Sequence, residues 1–169
     1  MLFLQPILAD DSKLSVSDIL APPTLGTPHG SLKSYSVVGQ FTQPGYQATA
    51  VAISKEDFWR TSLDSIVQTR FRVEIGYADN DQRFHRKGSL TADETQKLII
   101  GINALLGTGE PAAGFDAAEA TYTCEGQFTL ARVGQTWILS DWAGGSLKNM
   151  EALRELLSKA LVKLQAIKQ

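Results

Sequence analysis

What limits the folding of this chain most is how little separates its alternating segments. Runs of alternating apolar and polar residues are joined by short turn signals: Gln43-Pro44-Gly45, Asp79-Asn80-Asp81, Glu125-Gly126 and Gly134-Gln135. Proline presets one turn angle, glycine accepts a positive φ, and Asp and Asn bond their own backbone. Links this short return each strand beside its predecessor, so the pairing is antiparallel.

The segments themselves follow period two. SLKSYSVVGQFT (31–42) places Tyr35, Val37 and Gly39 on one face. YQATAVAIS (46–54) opposes Ala48, Ala50 and Ala52 to Thr49, Val51 and Ile53, and the small face invites close packing, as by a helix. In Val67–Tyr77, Phe71, Val73, Ile75 and Tyr77 share one face and Arg70, Arg72 and Glu74 the other. Gln82–Lys87 pairs back. Residues 55–66, KEDFWRTSLDSI, read either as a short helix, from the spacing of Phe58, Trp59, Leu63 and Ile66, or as a loop. Three further strands are expected at 119–124, 127–133 and 136–142. They put Tyr122, Cys124, Phe128, Leu130, Trp137 and Leu139 inward, and Gly144-Gly145 ends the set.

Two helices punctuate this order. Thr91-Ala-Asp-Glu94 is a capping box, in which hydroxyl and carboxylate satisfy orphan N–H groups. It opens a helix with Leu98, Ile99, Ile102, Leu105 and Leu106 as its stripe, and Gly107 stands where a left-handed C-cap belongs. After Ser146, Leu147, Met150, Leu153, Leu157, Ala160, Leu161 and Leu164 form a second stripe, opposite Glu151, Glu155, Lys159 and Lys163. The expected fold is α+β: antiparallel sheet packed against two amphipathic helices, in the order strands, helix, three strands, C-terminal helix. A small curved sheet or open barrel closed by the last helix is the alternative.

Residues 1–31 stand apart. MLFLQPILADD carries an apolar run ending at Ala9, like the end of a secretory signal, without a basic leader. That favours a periplasmic or secreted location, against an apolar tail docked on the core of a cytoplasmic protein. Residues 10–31 hold Pro22, Pro23, Gly26, Pro28 and Gly30 and read as an extended lead-in. Residues 32–169 are then a single α+β domain, and their length and 43% apolar content suffice for a core.

Sixteen basic and 18 acidic residues give a net charge of −2, which argues against a nucleic-acid partner. No run approaches a membrane span. A single cysteine, Cys124, excludes an internal disulfide. No Cys or His spacing suggests zinc, and no phosphate loop or catalytic triad signature occurs, so no cofactor, metal or catalytic residue is assigned. Pairing Cys124 with His85 as nucleophile and base is the best enzymatic option, although Cys124 reads as a small buried hydrophobe.

Two surfaces remain. Arg70, Arg72, Arg83 and Arg86 converge on paired strands, where guanidinium forks suit phosphate or carboxylate. The plainer reading is a solvated edge, since Lys and Arg protect edge strands. Trp59 and Trp142 lie at element ends and are candidate interaction residues.

The stretches GSLTADETQKLIIGINALL, AEATYTCEGQFTLARVGQTWILSDW and SLKNMEALRELLSKAL, within residues 71–165, resemble a pattern in uncharacterised bacterial proteins. It consists of a capped helix, a Tyr-bearing strand, a glycine turn, a second strand and a leucine-rich last helix. The resemblance implies bacterial origin and carries no activity. The favoured function is a non-enzymatic binding or protein-interaction domain that holds its partner through edge strands or aromatics. The alternative is an anion-binding domain for nucleic acid or a phosphorylated ligand.

Overall fold

The computed structural model describes residues 30–60, 65–81, 83–108, 110–124, 128–140 and 143–167. The expected signal segment, most of the lead-in and Trp142 lie outside them. Strands β1 (Gly30–Gln43), β2 (Tyr46–Trp59), β3 (Ile66–Ala78) and β4 (Phe84–Leu90) form one antiparallel sheet in that order. Helix α1 (Ala92–Gly107) follows. Strands β5 (Glu119–Cys124), β6 (Phe128–Val133), β7 (Thr136–Leu139) and β8 (Ala143–Ser146) form a second sheet, and α2 (Leu147–Ile167) ends the chain. The fold is therefore α+β, in the order that the turns and stripes dictate.

Three local expectations are corrected. Lys55–Trp59 belong to β2, so the helical spacing there is coincidental: strand pairing overrides a weak local pattern. Gly144-Gly145 lies within a strand rather than ending the set. β8 pairs with β7 through Trp137↔Gly145 and Ile138↔Gly144, which makes four strands of the expected three. Gly107 is the last helical residue and has no left-handed φ; the C-cap is Thr108, extended at φ −105°.

The end of α1 is satisfied in another way. Thr108 N–H and hydroxyl both donate to the Ala104 carbonyl, at 3.1 and 3.0 Å. Arg132, inward on β6 and 7% exposed, donates from Nη1 to the Leu105 and Leu106 carbonyls at 2.7 and 2.8 Å, and from Nε to Gly134 at 2.9 Å. α1 has no basic residue in its last turn. Arg132 supplies from a neighbouring strand the cation that a helix C-terminus favours. At the other end, the capping box forms as expected, with Thr91 N–H donating to Glu94 Oε2 and Glu94 N–H to Thr91 Oγ1.

Contacts divide the chain into two units. Among the described residues, the smaller holds 30–34, 55–60 and 65–70. Here Asp57 accepts from Thr69 Oγ1 at 2.6 Å and meets Lys55 Nζ at 2.9 Å. These two partners, the Thr69 hydroxyl foremost, hold its carboxyl below the ordinary 3.8.

The larger unit, residues 35–54 and 71 onward, contains the core. Leu98, Ile99, Ile102 and Leu105 of α1 and Met150, Leu153, Leu157, Ala160, Leu161 and Leu164 of α2 share one cluster with Val51, Ile53, Val73, Ile75, Cys124, Leu130, Trp137 and Leu139. The helices thus cover the Val51/Ile53 face of β2 and not its alanine face. Ala50, Ala52 and Ser54 are nevertheless buried too. The Tyr35 ring on β1 lies 5.2 Å from the Phe84 ring on β4, although two strands intervene, so the first sheet curls strongly. Small side chains are what the inner face of such a curl requires.

Curling also explains Glu74. By alternation it shares a face with Arg72, which reads as solvated. In the structure Glu74 is fully buried and accepts from Ser54 Oγ at 2.6 Å and Ser89 Oγ at 3.1 Å. A buried carboxylate needs such donors.

Candidate binding surfaces

The cationic return strand is β4, an outer strand of the first sheet. It joins β3 with a bulge between Ile75 and Gly76, where Gly76 faces Arg86 and Tyr77 faces His85. A Cβ on Gly76 would stand 2.0 Å from the His85 carbonyl oxygen, so no other residue fits without moving backbone. Asp79 closes the hairpin. Its Oδ1 accepts from the Asp81 and Arg83 N–H groups at 3.0 and 2.8 Å, and His85 Nε2 donates to Oδ2 at 2.7 Å. The His85 bond first, then that of Arg83, holds the Asp79 carboxyl below its ordinary 3.8. The His85 ring stacks on Tyr77 at 4.9 Å and 14°, and Lys87 Nζ lies 5.7 Å from the Tyr77 ring centre.

This arrangement engages much of the strand's charge locally. Of the four arginines singled out from sequence, Arg70 meets Glu56 at 3.4 Å and covers the Phe58 ring at 4.9 Å. Arg72 Nη1 lies 3.7 Å from Glu94 Oε2. Arg83 and Arg86 are exposed, the first in the hairpin turn and the second on β4. Trp59 is half-buried, its indole packed over Gly30. Cys124 is buried in the core, whereas His85 is exposed and bound to Asp79. A thiol so enclosed is a poor nucleophile. Among the described residues, no group of three or more His, Cys, Asp or Glu side chains could hold a metal ion.

Recesses lined by described residues open on the larger unit. One, of about 620 Å³, lies between the β1–β2 turn and the β3–β4 hairpin and is lined by Gln40, Thr42, Gln47, Ala78, Asp79 and Asn80. Asp79 is the charged group among them, so this recess suits a neutral polar or cationic group and opposes phosphate. Another, of about 410 Å³, is an apolar trough beside β1, lined by Val38, Ser158, Lys159, Val162 and Lys163. It exists because β1 lies close on α2: a Cβ on Gly39 would come within 2.5 Å of Leu156 Cδ2. Val162 is 66% exposed, and Val37 and Tyr35 are exposed on β1 nearby in sequence.

The trough was not legible in the sequence. Val38 and Val162 come from opposite ends of the domain, and Val162 lies just off the buried stripe of α2. The inward Arg132 could have been found, since period two from Phe128 and Leu130 points it inward.

Comparison of the chain with protein-family models, with curated proteins and with solved structures found no match.

Proposed function

We propose that this chain is a non-enzymatic binding domain that takes an extended segment of another protein alongside β1. The observation that carries this reading is the apolar trough lined by Val38, Val162, Lys159 and Lys163, beside an outer strand with exposed Val37. Strand addition draws affinity from main-chain hydrogen bonds and specificity from pockets for alternate side chains. The trough would take an apolar side chain, and the two lysines favour carboxylates on either side of it. The anion-binding reading is less well supported, because Arg70 and Arg72 already meet Glu56 and Glu94 and a phosphate would have to displace them.

The test is an NMR titration with a strand-forming peptide of alternating Val and Asp. Shifts at Val37, Val38 and Val162 are expected. A peptide with Lys in place of Asp should bind at least about tenfold more weakly, a difference of ~1.4 kcal/mol. No shifts at these residues, or equal binding of both peptides, would overturn the proposal.

The apolar run before Asp10 supports export from a bacterial cell as part of this reading. Among the described residues, no helix is long and apolar enough to cross a membrane. Intact mass of the exported protein should begin near Asp10. A full-length mass confined to the cytoplasm would overturn export.

A further inference from the structure

The recess between the β1–β2 turn and the β3–β4 hairpin is lined partly by residues with almost no side chain. Gly45, Ala48 of β2 and Ala78 of β3 border it, and their shortness helps leave about 620 Å³ open. Small-molecule sites occupy roughly 300–1,000 Å³, and the mouths of closed sheets are a common place for them. Gln40, Thr42, Gln47, Asp79 and Asn80 complete the lining. Each of these five side chains carries an acceptor oxygen, and Asp79 is the charged one. The amides can turn either end to a ligand, so the carboxylate decides which sign of charge the recess favours.

The hairpin holds that carboxylate in place. Oδ1 accepts from the Asp81 and Arg83 N–H groups and Oδ2 from His85. The same bonds keep Asp79 ionised at neutral pH, since they hold its carboxyl below 3.8. A carboxylate offers about four acceptor positions, so room remains for a further donor. The register turns the nearby cations elsewhere. Ala78 faces Phe84, whereas Tyr77 faces His85. Successive strand residues point to opposite faces, so the His85 ring lies on the face away from Ala78. Lys87 Nζ lies over the same Tyr77 ring that His85 stacks on. Arg86 faces Gly76, about 7 Å further along β3 from Ala78. Arg83 is exposed in the turn and is not a lining residue.

We propose that this recess binds a small organic cation through a guanidinium group. A guanidinium presents five N–H donors in a rigid planar fork and has no acceptor. It therefore complements acceptor oxygens gathered around one carboxylate. An anion would meet the Asp79 charge, and a neutral group would leave that charge uncompensated. Gln40, Thr42, Gln47 and Asn80 are all exposed, so the bound cation stays partly hydrated. The dissociation constant should then be modest, on the order of 0.1–1 mM. This site is independent of the trough beside β1.

Calorimetric titration of argininamide into the full chain tests it, with citrullinamide, whose urea replaces the guanidinium, as the neutral counterpart. Argininamide should bind, and citrullinamide should bind at least about tenfold more weakly. NMR shifts should fall at Gln40, Gln47 and Asn80. Asp79→Asn should weaken argininamide at least about tenfold. Because Asp79 also closes the hairpin, Gln47→Lys is a second variant, at an exposed position on β2. It brings a cation to the recess and should weaken binding at least about fivefold. Ile100→Lys, at a 58% exposed position on α1, adds the same charge elsewhere and should leave binding unchanged. No binding of argininamide to wild type, or equal binding of citrullinamide, would overturn the inference. So would undiminished affinity in Gln47→Lys, or an equal loss in Ile100→Lys.

Discussion

Replacing Arg132 by Met removes the guanidinium and keeps an apolar stem of similar length. The change strands the Leu106 carbonyl, which Arg132 Nη1 reaches at 2.8 Å, leaves the Leu105 carbonyl, bonded at 2.7 Å, with only the Thr108 hydroxyl at 3.3 Å, and frees the Gly134 carbonyl bonded at 2.9 Å. Each buried carbonyl left unsatisfied costs about 1–3 kcal/mol. The lost cation at the α1 C-terminus adds roughly 0.3–2 kcal/mol. Against this stands the guanidinium's own desolvation, which Met does not carry. The net loss should be about 3 kcal/mol, a large share of the 5–15 kcal/mol that typically holds a domain. Urea unfolding should show a lowered midpoint at unchanged slope. Hydrogen exchange should quicken first in the last turn of α1. Arg132→Lys should recover only part of the loss, because one ammonium cannot span both helix carbonyls and Gly134. A loss below about 1 kcal/mol in the Met variant, or full rescue by Lys, would refute the view that this fork closes the helix.

Gly76→Ala should destabilise by at least about 2 kcal/mol, because the new Cβ meets backbone that cannot swing aside; thermal unfolding checks this. Asp57 and Asp79 have carboxyls held below 3.8 in the folded state. Their contributions are present above that value and disappear as pH falls through the folded pKa, so an acid titration should lose stability below about pH 4. Asp79→Asn should flatten that limb, and an unchanged acid profile would contradict the role given to Asp79. Cys124 should resist iodoacetamide in the native protein and react only on unfolding, as its burial requires; rapid native labelling would contradict the packing.

The sequence disclosed those parts of the fold that rest on local rules. Thr91 and Glu94 cap α1 because hydroxyl and carboxylate at that spacing can do little else. The α2 stripe is buried because its period matches the helix. Where tertiary pairing decides, local rules mislead. Ala143–Ser146 is a strand only because β7 lies beside it, and glycines have little strand preference of their own. Glu74 alternates as a solvent residue, and the curl of the sheet buries it. Gly107 fits a left-handed cap, and Arg132, 25 residues on, removes the need for one. The candidate site was the least legible part, since a trough between Val38 and Val162 leaves no trace in either neighbourhood.

The binding proposed for the trough beside β1 is that of an acidic, apolar strand of another protein. Its most direct test is calorimetric titration of the Val/Asp peptide into wild type, Val162→Glu and Ile100→Glu, all positions being exposed. The account predicts binding to wild type and Ile100→Glu and a loss of at least about tenfold in Val162→Glu, ~1.4 kcal/mol. Equal affinity in all three proteins, or none in wild type, would contradict it.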